Sequence, residues 1–201
     1  MVLDPHLVAS HSATKWGESF KEKLRWGASN RTKFRVLNSN EHPLENNSEL
    51  EVTDLTAGEM FIIWGVRHWI GCVLNQISPD PFLRQGCRNV RMEELASSIS
   101  NLMEYIIPNS VDMKWASCME YKHLVTGEKN ILRCIYLMQH EDLSEISRFS
   151  KTWLQPSICS LSSECFSEIA ETLSSQNHIF PLREFDYDTY NITPITSVSI
   201  H

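Results

Sequence analysis

Four side chains in this sequence stand at spacings that metal chemistry uses. His68 and Cys72 are four residues apart, which places both on one face of a helix. Glu120 and His123 form a Glu-x-x-His, the pair that each of two helices supplies in diiron bundles. Zinc needs three or four ligands, and the diiron arrangement needs a second Glu-x-x-His with two further glutamates. Neither set is complete along the chain, so both pairs also fit ordinary packing. Arg67, beside His68, is the third candidate. It falls inside a run, residues 56–77, that is apolar on nearly every side. A cation there needs an internal partner or marks the floor of a site. The alternatives for Arg67 are an ion pair with an acid on a neighbouring helix or contact with a bound ligand. Those for His68 are a carbonyl or solvent. No Gly-rich phosphate loop, nucleophile elbow or His-Glu-x-x-His occurs, so no catalytic residue can be named and no cofactor is implied.

The elements that must hold these residues are legible as helices. Thr56 and Glu59 make a capping box opening the first long helix. Asp80-Pro81 reads as an N-cap followed by proline in the first turn, opening a short helix that turns near Asn89. Met92, Leu95, Ile99, Leu102, Met103 and Ile106 keep helical spacing up to Pro108. Residues 111–125 lack a period, and Trp115, Cys118 and Tyr121 are the anchors of a packed loop. Thr126 can cap a helix over 127–140, Asp142 or Ser144 one over 145–154, and Pro156 opens a last one ending near Asn177. Ile158, Leu161, Cys165, Ile169 and Leu173 are its inward residues. The expected fold is all-α, a five- to six-helix bundle. The long first run is near membrane-spanning length, but Arg67, His68, Asn75 and Gln76 interrupt it, so a buried helix is expected.

Charge divides the chain. Its 201 residues carry a formal net charge of -7. Between positions 11 and 35, however, Lys15, Lys21, Lys23, Arg25, Arg31, Lys33 and Arg35 face only Glu18 and Glu22. Trp16, Phe20 and Leu24 would share one stripe if residues 14–26 are helical. The organisation expected is a basic N-terminal arm and polar linker over 1–52, a helical domain over 53–182 and an extended, acidic-aromatic tail over 183–201. The arm could bind nucleic-acid phosphates, lie on an anionic membrane, or fold back on the acidic body. The six cysteines include no Cys-x-x-Cys, and the start has no basic-then-apolar leader, so reduced core thiols and a cytoplasmic location are expected.

The order of features resembles a family of small bacterial all-helical proteins of unknown function. The matching stretches are Leu55-Thr-Ala-Gly-Glu59 leading to Trp64-x-x-Arg67-x-Trp69, the helix ending near Pro108, and Cys118 followed by Leu124-Val-Thr-Gly-Glu128. The helix then closing at Gln139, Trp153-Leu-Gln-Pro156 and Pro181-Leu182 complete them. The resemblance covers about residues 53–183 and implies no substrate. The leading functional expectation is a non-enzymatic interaction or regulatory module whose partner is another protein, with a homodimer as one form. The alternatives are a metal- or small-molecule-binding helical protein using His68, Cys72, Glu120 and His123, and nucleic-acid or anionic-membrane binding through residues 15–35.

Overall fold

Thr56 starts the first helix as its capping box requires. The Glu59 amide donates to Thr56 Oγ1 at 3.4 Å, and the Thr56 amide donates to Glu59 Oε2 at 2.7 Å. The computed structural model describes residues 35–37, 50–111, 113–116 and 120–183. Six α-helices follow in order among them: α1 Ala57–Leu74, α2 Asp80–Asn89, α3 Leu95–Ile106, α4 Thr126–Gln139, α5 Leu143–Ser150 and α6 Pro156–Ser175. Single 3-10 turns lie at Val52–Asp54 and Ile107–Asn109. The chain is an all-α bundle. α3 packs along α6, α4 along α6 and α5, and α1 touches α2, α3 and α4. No helix among the described residues is long and apolar enough to cross a membrane.

Four helices end alike. Ile77 N–H reaches the Cys72 carbonyl at 2.9 Å and Gln76 N–H the Val73 carbonyl at 3.0 Å, with Gln76 at φ 61. The same pair of bonds closes α2 around Arg91, α4 around Glu141 and α6 around Asn177. These are Schellman motifs, whose left-handed residue is usually glycine. Here Gln, Arg, Glu and Asn take it.

The sequence expectations need four adjustments. Asp80 does not cap α2, because its carboxylate accepts from Ser100 Oγ at 3.0 Å, and Ser100 accepts from the Trp69 indole at 3.4 Å. That chain of bonds ties α2, α3 and α1 together. Thr126 is the first residue of α4 and not its cap; the N-cap is Val125, whose amide bonds Glu128 Oε2 at 3.1 Å. Leu161 of α6 points outward, while Ile169 and Leu173 are buried. The aperiodic stretch before α4 holds a three-residue strand, β2 Lys114–Ala116. It pairs in parallel with β1 Arg35–Leu37, Arg35 opposite Lys114.

The core runs through α1, α3, α4 and α6, with Trp69, Trp115 and Trp153 almost completely enclosed. Trp115 lies directly over Gly127. A Cβ there would sit 2.8 Å from three of its ring atoms, so only glycine lets α4 start so close to β2. Leu50 and Val52 join this side of the domain through backbone bonds to Leu124 and Lys122.

Candidate functional site

Arg67 lies at the junction of α1, α4 and the segment before α4. Its Nε donates to Glu128 Oε1 at 2.7 Å and its Nη2 to Glu128 Oε2 at 3.0 Å. Nη2 also reaches the His123 carbonyl at 2.9 Å, and Nη1 bonds the Tyr121 carbonyl. The guanidinium carbon lies 5.9 Å from the centre of the Tyr121 ring. Arg67 and Glu128 are both wholly buried. Burial pushes the Glu128 carboxyl up from its ordinary range; the Arg67 hydrogen bonds and charge and the Val125 amide oppose that rise. The planar fork suits this task, since one side chain meets a carboxylate and two carbonyls in fixed directions. Arg67 therefore joins the central helix to the start of α4 from a wholly buried position.

The metal-ligand candidates do not converge. No group of three or more His, Cys, Asp or Glu among the described residues could hold a metal ion. Glu120 and His123 lie before α4 in non-helical backbone, so their i, i+3 spacing does not align them as it would on a helix. Glu120 is exposed, while the His123 ring meets Tyr121 edge-on. Cys72 is buried, and burial raises its thiol. The His68 ring lies among aromatic rings, between Trp64 and Phe82. The side chains of Lys15, Lys21, Lys23, Arg25, Arg31, Lys33 and Arg35, Cys118, and the tail beyond Arg183 lie outside the described residues.

A second buried carboxylate, Glu59, is held from outside the helix it caps. Arg183 Nε donates to Glu59 Oε1 at 2.6 Å, and its Nη2 donates to Oε2 at 2.8 Å and to the Asp54 carbonyl at 2.9 Å. The chain reaches this point as a strap. Gln139 donates to the His178 carbonyl and accepts from the Phe180 amide, both at 2.8 Å, and Phe180 is buried. Gly58 lies under the strap, where a Cβ would come within 2.9 Å of His178. A cleft lined by Glu59, Arg133, Tyr136 and Arg183 adjoins it, with a cavity volume of about 10 Å³. That is room for one water molecule, well below a small-molecule site.

The outward side of α1 differs from both. Ala57, Met60, Phe61, Trp64, His68, Gly71 and Asn75 follow one another along it, all exposed or half-buried, and none carries a carboxylate, ammonium or guanidinium group. The rings of Phe61 and Trp64 stack at 5.3 Å, and those of Trp64 and His68 at 5.3 Å. Phe82 of α2 extends the row, 5.4 Å from His68. Met60 is 40% exposed and Phe82 47%. Gly86 fixes the row from beneath, because a Cβ there would fall 2.0 Å from Trp64 Cη2. Nothing in the sequence around Gly86 signals this contact. Its actual neighbour is 22 positions away, and only the crossing of α1 and α2 shows it.

No family model, no curated protein and no solved structure matches this chain.

Proposed function

We propose that this chain is a non-catalytic helical interaction module. In this reading it binds a protein partner through the outward face of α1 and the adjoining Phe82 of α2. The observation that carries the reading is the row Phe61, Trp64, His68 and Phe82, aromatic, without an acid, lysine or arginine, and open on one side. Trp and Phe bring large apolar area with few rotatable bonds, and such residues dominate the energetics of protein interfaces. The buried charges, by contrast, are committed to Arg67–Glu128 and Glu59–Arg183, which hold the fold. The partner that suits such a face is an amphipathic helix laying its apolar side along α1. A basic flank on that helix fits the domain, since residues 50–183 contain sixteen acids against eleven Lys and Arg.

The test is a photo-crosslinking amino acid placed at Phe82, with Leu143, 65% exposed on α5, as the control position. In cells, irradiation should yield a heavier covalent species from position 82 and little from position 143. Equal capture at both positions, or none at 82, would overturn the reading.

A further inference from the structure

A segment of the same chain has chemistry that complements the row on α1. Residues 14–26 carry Trp16, Phe20 and Leu24 at i, i+4 and i+8, an apolar stripe for a helical segment. Lys15, Lys21, Lys23 and Arg25 stand between and beside them. The chain after this segment is anchored near α1. Arg35–Leu37 pairs with Lys114–Ala116, and β2 touches both α1 and α4. Further on, Leu50 and Val52 bond Leu124 and Lys122, next to the carbonyls that Arg67 holds. On a helix turning 100° per residue, Trp64 lies only about 60° around α1 from Arg67, and His68 about 100°. Leu50 and Val52 therefore sit on the side of the domain where α1 meets the segment before α4. The eleven residues from Leu24 to Arg35 can span up to about 36 Å, and the whole of α1 is about 27 Å long. The tether is thus longer than α1 itself.

We propose that residues 14–26 dock on the outward face of α1 in the free chain, setting Trp16, Phe20 and Leu24 against Trp64, His68 and Phe82. The arm is then an intramolecular occupant of the face, and a protein partner must displace it. This regulation rests on the reading of that face as a binding surface. Apolar contact fixes where the segment sits; the net +5 of residues 11–35 against the acidic body holds it close. Tethering gives the arm a high effective concentration, so even a weak contact keeps the face covered.

The experiment uses the full chain with a photo-crosslinking residue at Trp16. Irradiation of purified protein should link position 16 to the peptide containing Met60–His68 or to that containing Phe82, within the monomer band. The yield should be independent of protein concentration and persist in 1 M NaCl. Phe20→Asp should lower it about tenfold while circular dichroism still shows a folded helical domain. The same substitution should raise intermolecular capture from a probe at Phe82 several-fold. A link only in a dimer band assigns the face to a second copy and overturns the proposal. So does a link to other parts of the domain, a link lost in high salt, or none at all. If the probe at Phe82 captures a partner while position 16 makes no internal link, the binding face stands and the arm's role falls. If position 16 links to α1 and the Phe20→Asp chain captures nothing at 82, docking stands and the interaction reading falls.

Discussion

Arg67 and Glu128 form a two-point ion pair, 2.7 and 3.0 Å long, with neither side chain exposed to solvent. They stand 61 positions apart and lock α1 to the first turn of α4. The guanidinium also satisfies the carbonyls of Tyr121 and His123, so the backbone leading into α4 depends on it as well. Removing either partner leaves a buried charge without its counterion, a loss of about 3–5 kcal/mol. Arg67→Met and Glu128→Gln should each lower the unfolding free energy, measured by urea titration, by that amount. The double variant Arg67→Met/Glu128→Leu should recover only part, because the two carbonyls lose their donor whatever stands at position 128. A single variant within 1 kcal/mol of the parent would show that the pair is not what holds the junction.

Two glycines permit close approach by tryptophan rings, and they should respond differently to alanine. Alanine favours a helix over glycine by about 1 kcal/mol. At Gly127 the added Cβ meets Trp115, which is wholly buried and has nowhere to move. At Gly86 it meets Trp64, which is half-buried and can swing toward solvent. Gly127→Ala should therefore lower stability by about 1–3 kcal/mol, the cost of overpacking. Gly86→Ala should cost less but redshift the Trp64 emission, read against a Trp64→Phe background. Equal stability loss with no spectral change at Gly86 would contradict the geometry.

The helix ends offer a gain. A left-handed backbone costs an ordinary residue about 1–2 kcal/mol, and glycine's extra freedom in the unfolded chain returns roughly 0.5–1 of it. Gln76→Gly, Arg91→Gly and Glu141→Gly should each raise stability by about 0.5–1 kcal/mol, measured by thermal or urea unfolding. Asn177→Gly should gain least, since asparagine already tolerates this conformation. Losses at all four positions would mean that the side chains make contacts worth more than the backbone strain.

Local signals in this chain could be read from sequence, and tertiary ones could not. Thr56 and Glu59 act three residues apart, so their capping box and the start of α1 follow from spacing alone. Asp80 carries the same kind of signal, yet Ser100, twenty positions on, competes for its carboxylate. Arg67 announced that it needed a partner, but nothing near it in sequence named Glu128. Glu59 meets Arg183 across 124 positions, beyond any periodicity. The aromatic row was hidden for a different reason. A helix apolar on every side does not disclose which side faces outward, and α1 places no acid, lysine or arginine on its outward side.

Thiol chemistry separates the cysteines by burial. Among the described residues Cys72, Cys87, Cys134, Cys159 and Cys165 are free, and only Cys159 is partly open to solvent. Burial pushes the Cys87 and Cys165 thiols up to about 11 from 9.0, and moves Cys72 and Cys134 upward too. The thiolate is the reactive form, so at pH 8 a rise from 9 to 11 lowers its fraction about 100-fold, before any steric shielding. Native protein treated with iodoacetamide at pH 8 should be modified at Cys159 well before these four, as read by peptide mass spectrometry. In urea the order should vanish. The sign for stability follows from the same shift. A thiol raised in the folded state favours folding fully below pH 9, and that contribution is lost as pH climbs from 9 toward 11. The melting temperature should therefore fall across that window, and Cys87→Ala should make the fall shallower even if its starting point is lower. Rapid native labelling of Cys87 or Cys134 at pH 8 would mean that the helices around them open far more readily than their packing implies.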